Sequence, residues 1–312
     1  MAGGQERVLK RRIKSFQSMK KITRAMELIA ASRIVKAQQR VSAARPYSEQ
    51  ITEVIRNLAA GGAGSSHPLL AERDEVRSIG YVVVTADRGL AGGYNSGVIR
   101  AAERALQAET GGDPSRYKLF LLGKKARDYF SYRGYQIEAS FTGMSDQPTY
   151  DNAREVAEVI MKAFEEGQVD RVDLAYTQFL SVGTQRVVIR RFMPIEQESI
   201  TEAPSEGPTA DYEFEPSPDG ILDRLLPRYA EARLFAAMLD AAASEHAARQ
   251  RAMKSATDNA EELIKVLNRQ MNRARQESIT TEIMEIVGGA EALAQGAMKE
   301  PPDYFREHQE TA

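Results

Sequence analysis

The sequence predicts an α/β protein in which long N- and C-terminal helices pair as an antiparallel coiled coil with an α/β domain inserted between them. Three observations predict it. The first sixty residues are helix formers with apolar residues spaced by three and four. The middle alternates short apolar runs with helical spacing, and a second helical run resumes beyond Gly220. Two helices that each show a narrow apolar stripe bury it most simply against each other.

The opening segment, from about Glu6 to Ala59, is rich in Ala, Leu, Met, Lys, Arg, Glu and Gln, which lose little in a helix. Met19, Ile22, Met26 and Ile29 define one stripe, with Leu9, Ile13 and Phe16 before it and Tyr47, Ile51, Val54 and Leu58 after it. Pro46 is expected to kink or interrupt the helix. Such a helix reaches roughly 80 Å, too long for one globule. Gly61-Gly62-Ala63-Gly64-Ser65-Ser66 ends the pattern.

Ile79 to Val84 and Lys118 to Gly123 are short apolar runs of the kind found in buried strands, and Gln136 to Phe141 is a third candidate. Helices are expected from about Asn95 to Ala108, Lys124 to Tyr132 and Asn152 to Glu165. This alternation argues an open, Rossmann-like sheet. Arg171–Leu180 and Gln185–Pro194 flank Ser181-Val182-Gly183-Thr184 and read as a hairpin closing one edge. Glu196 to Asp219 has no lysine or arginine, several acids and four prolines, the composition of a linker.

Beyond it, Leu222, Leu225, Tyr229 and Ala232 open a helix that Leu263, Leu267 and Met271 continue, with Ala236, Ala237, Ala241, Ala242 and Ala243 permitting close approach. Ile279, Ile283, Ile286, Ala290 and Leu293 form a heptad seam. Pro301 and Pro302 should stop it. The expected division is therefore 1–60 N-terminal helix, 61–195 α/β domain, 196–220 acidic linker, 221–294 C-terminal helix and 295–312 charged tail.

Composition narrows the function. There are no cysteines, so disulfides, thiolate metal sites and thiol regulation are excluded. His67, His246 and His308 lie far apart without paired ligand spacing, and no metal or cofactor is expected. No stretch approaches the length of a membrane-spanning helix, and the first residues lack the apolar core of a secretory signal. Net charge is only -2, yet residues 1–47 hold twelve Lys and Arg against Glu6 and Glu27. Such a run is either a solvated helix face or an electrostatic contact.

Asp87-Arg88-Gly89-Leu90-Ala91-Gly92-Gly93-Tyr94-Asn95 follows a strand and opens a helix, where free amides attract anions. Its spacing is neither a Walker loop nor the dinucleotide fingerprint. A turn shaped by Asp87 and Arg88, or a partner contact made by them, fits better.

Ile279-Thr280-Thr281-Glu282-Ile283-Met284-Glu285-Ile286-Val287-Gly288-Gly289-Ala290-Glu291-Ala292 resembles the C-terminal signature of ATP synthase gamma subunits. Lys21 to Ser32, Thr85 to Leu90 and Met253 to Asn259 resemble the same family, in the same order. The resemblance implies a non-catalytic rotor shaft inside a hexamer of alpha and beta subunits. It also implies contacts with the epsilon subunit and the c-ring, and a place at the cytoplasmic side of a bacterial cell membrane, held peripherally. It implies partner-contact or coupling roles for Arg24, Met26, Arg249, Arg275, Gln276, Thr280 and Glu282, with a simple exposed helix charge as the plainer reading of Arg249. The basic N-terminal segment then becomes a collar facing acidic partner segments. Two rival readings stand beside it. A nucleic-acid-binding coiled coil would need aromatic platforms that the basic segment lacks. A Rossmann-like enzyme would need a catalytic constellation that the sequence does not display.

Overall fold

The computed structural model describes residues 2–60, 67–195 and 217–297. Residues 61–66, 196–216 and 298–312, which hold the glycine-rich break, most of the acidic linker and most of the tail, lie outside the described residues. The elements run α1 (Ala2–Ala60), β1 (Ile79–Val84), α2 (Tyr94–Thr110), β2 (Tyr117–Leu122), α3 (Lys124–Tyr132), β3 (Ala139–Phe141), α4 (Tyr150–Glu165), β4 (Arg171–Phe179), β5 (Gln185–Met193) and α5 (Pro218–Ala297). The chain divides into two compact units, residues 1–23 with 256–312, and residues 24–255.

In the first unit α1 and α5 pair antiparallel. Leu9 and Ile13 pack with Leu267 and Ala274, flanked by Phe16, Ile264 and Met271. Lys20 reaches Glu261 at 2.9 Å and the Thr257 hydroxyl donates to that of Thr23 at 2.8 Å. As α1 numbers rise the α5 partners fall, so α1 begins opposite the residues near Ser278. Past that level every α5 side chain from Ile279 to Leu293 is exposed. The C-terminal heptad seam thus has no partner helix among the described residues.

The α1 stripe is a second correction. The buried positions are Leu9, Ile13, Thr23, Glu27, Ala30, Ile34, Ala37, Ile51, Ile55 and Leu58, while Met19, Ile22 and Ile29 are about half or more exposed and Met26 is half-buried. The true seam repeats by four and three through polar and small residues. The bulkier apolar residues lie one position aside and face outward. Pro46 does not interrupt α1, which is assigned as one helix of 59 residues. A proline costs an interior helix its i to i−4 bond. Here Ile51, Ile55 and Leu58 are buried in the domain core just beyond it, and this packing outweighs the lost bond.

In the second unit the five strands lie in the order β3-β2-β1-β4-β5, parallel except for the antiparallel β4–β5 hairpin at one edge. Alternate residues of β1 serve opposite faces. Val82 and Val84 join α1, α4 and α5 in one core, whereas Ile79, Tyr81 and Val83 join α2 and α3 in the other. Burial on both faces explains why the strand reads as an uninterrupted apolar run. Thr149 and Asn152 form a reciprocal capping box that starts α4. Gly123 enters α3 at φ 93°, where an added Cβ would stand 2.3 Å from the Thr85 carbonyl oxygen. Only glycine fits, and the close crossing brings the β2–α3 turn against the loop that follows β1.

Candidate functional site

The loop between β1 and α2 is held from three sides. Asp87 accepts backbone N–H groups from Gly143 at 2.9 Å, Lys124 at 3.1 Å and Ser145 at 3.2 Å. Burial pushes its carboxyl up, yet these bonds win and hold it below the usual carboxylate range. Asn95 accepts from the Ala86 amide at 2.8 Å. Arg249 of α5 donates to the Gly89 carbonyl at 3.1 Å. Asp87 therefore ties this loop to the backbone at the start of α3 and of the β3–α4 loop.

Arg249 is not a simple exposed charge. It is buried, and pairs with the equally buried Glu245 one helical turn before it at 2.7 Å. Burial raises the Glu245 carboxyl against the opposing pull of Arg249. Next to it, His246 is buried with Nε2 at 3.3 Å from the Asp146 carbonyl oxygen, and burial lowers its pKa against the opposing pull of Asp146. Arg33 of α1 pairs with the Asp146 carboxylate. Asp146, Glu245 and His246 offer ligand atoms within 4.8 Å of one another. Two guanidinium groups already neutralise the two carboxylates, so the cluster serves as a polar tie rather than a cation cage. Through it both long helices hold the loops at residues 85–93 and 143–148. Sequence analysis singles out neither Arg33, Asp146 nor Glu245, and weighs His246 only as a histidine without paired ligand spacing; the available signal is Ser244-Glu245-His246, a polar run inside an alanine-rich helix.

The other expected site residues are scattered. Arg24 is exposed and grips the buried Glu27 at 2.9 Å. Arg88 is exposed on the loop. Arg275, Gln276, Thr280 and Glu282 are exposed on α5; Thr280 bonds back to the Gln276 carbonyl at 2.9 Å, and Glu282 accepts from Ser278 at 3.3 Å. Thr23, the last α1 residue of the first unit, meets Thr257. Arg275 lies roughly 27 Å further along α5 at 1.5 Å per residue. The structure thus joins Asp87 with Arg249, through Gly89, and keeps Arg275 to Glu282 as a separate exposed group.

Comparison with known proteins decides the family. A family model described as ATP synthase matches residues 5–293. The gamma chain of Parafrankia sp. (strain EAN1pec) is 52% identical over 300 residues, spanning 94% of this chain and 99% of that one. The chain belongs to the ATP synthase gamma-chain family. It is the central rotor shaft, which couples rotation to catalysis and carries no catalytic site of its own. The gamma chain of Mycolicibacterium smegmatis is 49% identical over 304 residues, covering 92% of this chain and 97% of that one. Among solved structures, a chain of the Euglena gracilis mitochondrial ATP synthase (OSCP/F1/c-ring, rotational state 3) matches with TM-score 0.65 at 17% identity, over 99% of each chain. A chain of the Tetrahymena thermophila mitochondrial central stalk and c-ring matches with TM-score 0.59 at 22% identity, over 75% of this chain and 99% of that one. At such identities these two likenesses speak for the fold. No helix among the described residues is long and apolar enough to cross a membrane.

Proposed function

We propose that the shaft works inside a hexamer of alpha and beta subunits and rests on the epsilon subunit and the c-ring, at the cytoplasmic face of the cell membrane and peripheral to it. The observation that carries this reading is the end of α5. Ile279, Ile283, Met284, Ile286, Val287 and Leu293 are all about half or more exposed, on a helix that has outrun its partner. A contiguous apolar surface of this kind is a contact surface rather than a solvent face. An apolar sleeve at the top of the hexamer would cover it without gripping it, which a turning shaft requires.

The outward stripe of Met19, Ile22, Met26 and Ile29 supports the same reading lower on the shaft. It offers apolar surface that α5 does not cover, beside the exposed cations of the N-terminal segment. Arg24, Met26, Asp87, Arg88, Arg249, Arg275, Gln276, Thr280 and Glu282 are the residues through which partner subunits feel the shaft. Of these Asp87 and Arg249 act by fixing the loop, and the exposed remainder act by contact. Attraction between exposed charges guides engagement and is weakened by salt. The division into helix, α/β domain, acidic linker, helix and tail gives each contact its own segment.

The test is a tagged pull-down from solubilised membranes with subunit mass analysis and an ATPase assay. Recovery of alpha and beta in excess over this chain, with ATPase activity, is the expected result; recovery of the chain alone or with nucleic acid overturns it. Within the assembled complex, Met26→Lys should lower proton pumping per ATP hydrolysed, because a charge enters an apolar sliding face. Unchanged pumping would remove Met26 from the coupling set.

A further inference from the structure

In the second unit α1, α4 and α5 line a groove of about 610 Å³. Its wall is aromatic. Tyr47 of α1 meets Tyr150 of α4 edge to face at 6.5 Å between ring centroids, and Tyr150 meets Phe235 of α5 in the same manner at 5.7 Å. Alanines of α1 and α5 line it too and leave room beside the rings. Such a volume suits an organic ligand rather than a single ion.

Two charges stand in this groove without an ionic partner among the described residues. Glu231 of α5 is buried, at 8% exposure, and accepts the Tyr150 hydroxyl at 2.8 Å. Burial and that bond raise the Tyr150 hydroxyl, so it stays a neutral donor. A buried carboxylate with one neutral donor keeps acceptor capacity for more. Arg228, about one helical turn before Glu231, is exposed and lines the same groove. Arg154 of α4, paired with Asp151 at 2.9 Å, lines it as well.

The two charges exclude the simplest occupants. Arg228 opposes a bare cation, and Glu231 opposes a bare anion. The groove suits a ligand with a ring for the wall, neutral donors for the carboxylate and an anionic group for the guanidinium. Aromatic side chains hold bases by stacking, acidic side chains take ribose hydroxyls, and arginines take phosphate. We propose that this groove binds a nucleoside phosphate, with the base on the aromatic wall, ribose hydroxyls donating to Glu231, and phosphate on Arg228 and Arg154. Its occupant touches α1, α4 and α5 together, so binding ties both long helices to the α/β domain within this unit.

The test is equilibrium dialysis of the full-length chain against labelled ADP. The chain is used alone, so nucleotide held by partner subunits does not enter the measurement. Saturable binding is expected, and Arg228→Gln and Glu231→Gln should each weaken it about tenfold. The 2′,3′-dideoxy analogue of ADP should bind the unaltered chain about tenfold less tightly and lose nothing further in Glu231→Gln. Glu231→Gln keeps an acceptor for the Tyr150 hydroxyl, and an unchanged thermal midpoint shows that it is folded. If it is not, Arg228→Gln and the dideoxy analogue on the unaltered chain decide. No saturable binding overturns the proposal. So does ADP binding that is indifferent to Arg228→Gln, or that inorganic phosphate displaces at equal concentration, which would reveal attraction for any anion.

Discussion

Arg249 and Glu245 form an ion pair at 2.7 Å, both buried, and the same guanidinium nitrogen, Nη2, also donates to the Gly89 carbonyl. A buried pair is costly to break on one side because the remaining charge is left without compensation. We expect Arg249→Met to destabilise the second unit by about 3–5 kcal/mol. Glu245 has a pKa raised in the folded state, so its protonated form favours folding. That contribution is complete below the unfolded value and is lost as pH rises through the folded one. Removing Arg249 raises the folded value further, so the deficit of Arg249→Met should shrink as pH falls from 7 to 5. Denaturation midpoints of the two chains across that range check this, and a deficit that grows on acidification would contradict it.

Asp87 gives the opposite sign. Its carboxyl is held below the ordinary range, so its stabilisation is present above the unfolded pKa and fades as pH falls through the folded one. Asp87→Ala should cost about 2–4 kcal/mol by orphaning amides that a charged acceptor had satisfied. Hydrogen exchange at the amides of Lys124, Gly143 and Ser145 should quicken together in this variant. Protection unchanged at all three would show that the loop is held by other means.

Gly123→Ala places a Cβ 2.3 Å from a backbone oxygen at φ 93°, and neither side can give way. The loss should exceed about 3 kcal/mol. Gly134 has φ 76° but open space around it, so Gly134→Ala should cost only about 1 kcal/mol. The pair separates clash from conformational strain. Equal losses in thermal denaturation would mean that the Thr85 contact relaxes.

The sheet was legible because β1 and β2 are buried on both faces and declare themselves as apolar runs. The hairpin edge followed from two runs and a turn. The helix seam departs from the apolar stripe for a physical reason. A close-packed antiparallel pair buries Thr23, Glu27, Ala30 and Ala37, whose hydropathy is modest, and leaves Met19, Ile22 and Ile29 facing out. Hydrophobicity finds the bulkiest stripe, and here Met19, Ile22 and Ile29 of that stripe face outward. For Arg249 the sequence offers a partner contact by resemblance or, more plainly, an exposed helix charge, since an i, i+4 acid-base pair on a helix is normally solvated. Only the packing of α5 against the loops reveals that this one is buried. The C-terminal heptad was read correctly as apolar; what sequence spacing alone does not carry is that α1 begins too late to meet it.

Asp240 supplies the last prediction. Burial pushes its carboxyl up to about 6, against the Phe179 amide and the nearby Arg190 and Arg45. Charge at this position therefore opposes folding at neutral pH, and protonation relieves it. By the linkage sign, stability from this group is full below the unfolded value of 3.8 and is lost as pH rises through about 6. Asp240→Asn keeps an acceptor for the Phe179 amide and removes the titration. It should raise stability at pH 7.5 by about 1–3 kcal/mol, with the advantage vanishing near pH 4. A denaturant series on both chains at the two pH values decides it, since a variant less stable at pH 7.5 would mean that the Arg190 and Arg45 attractions outweigh burial.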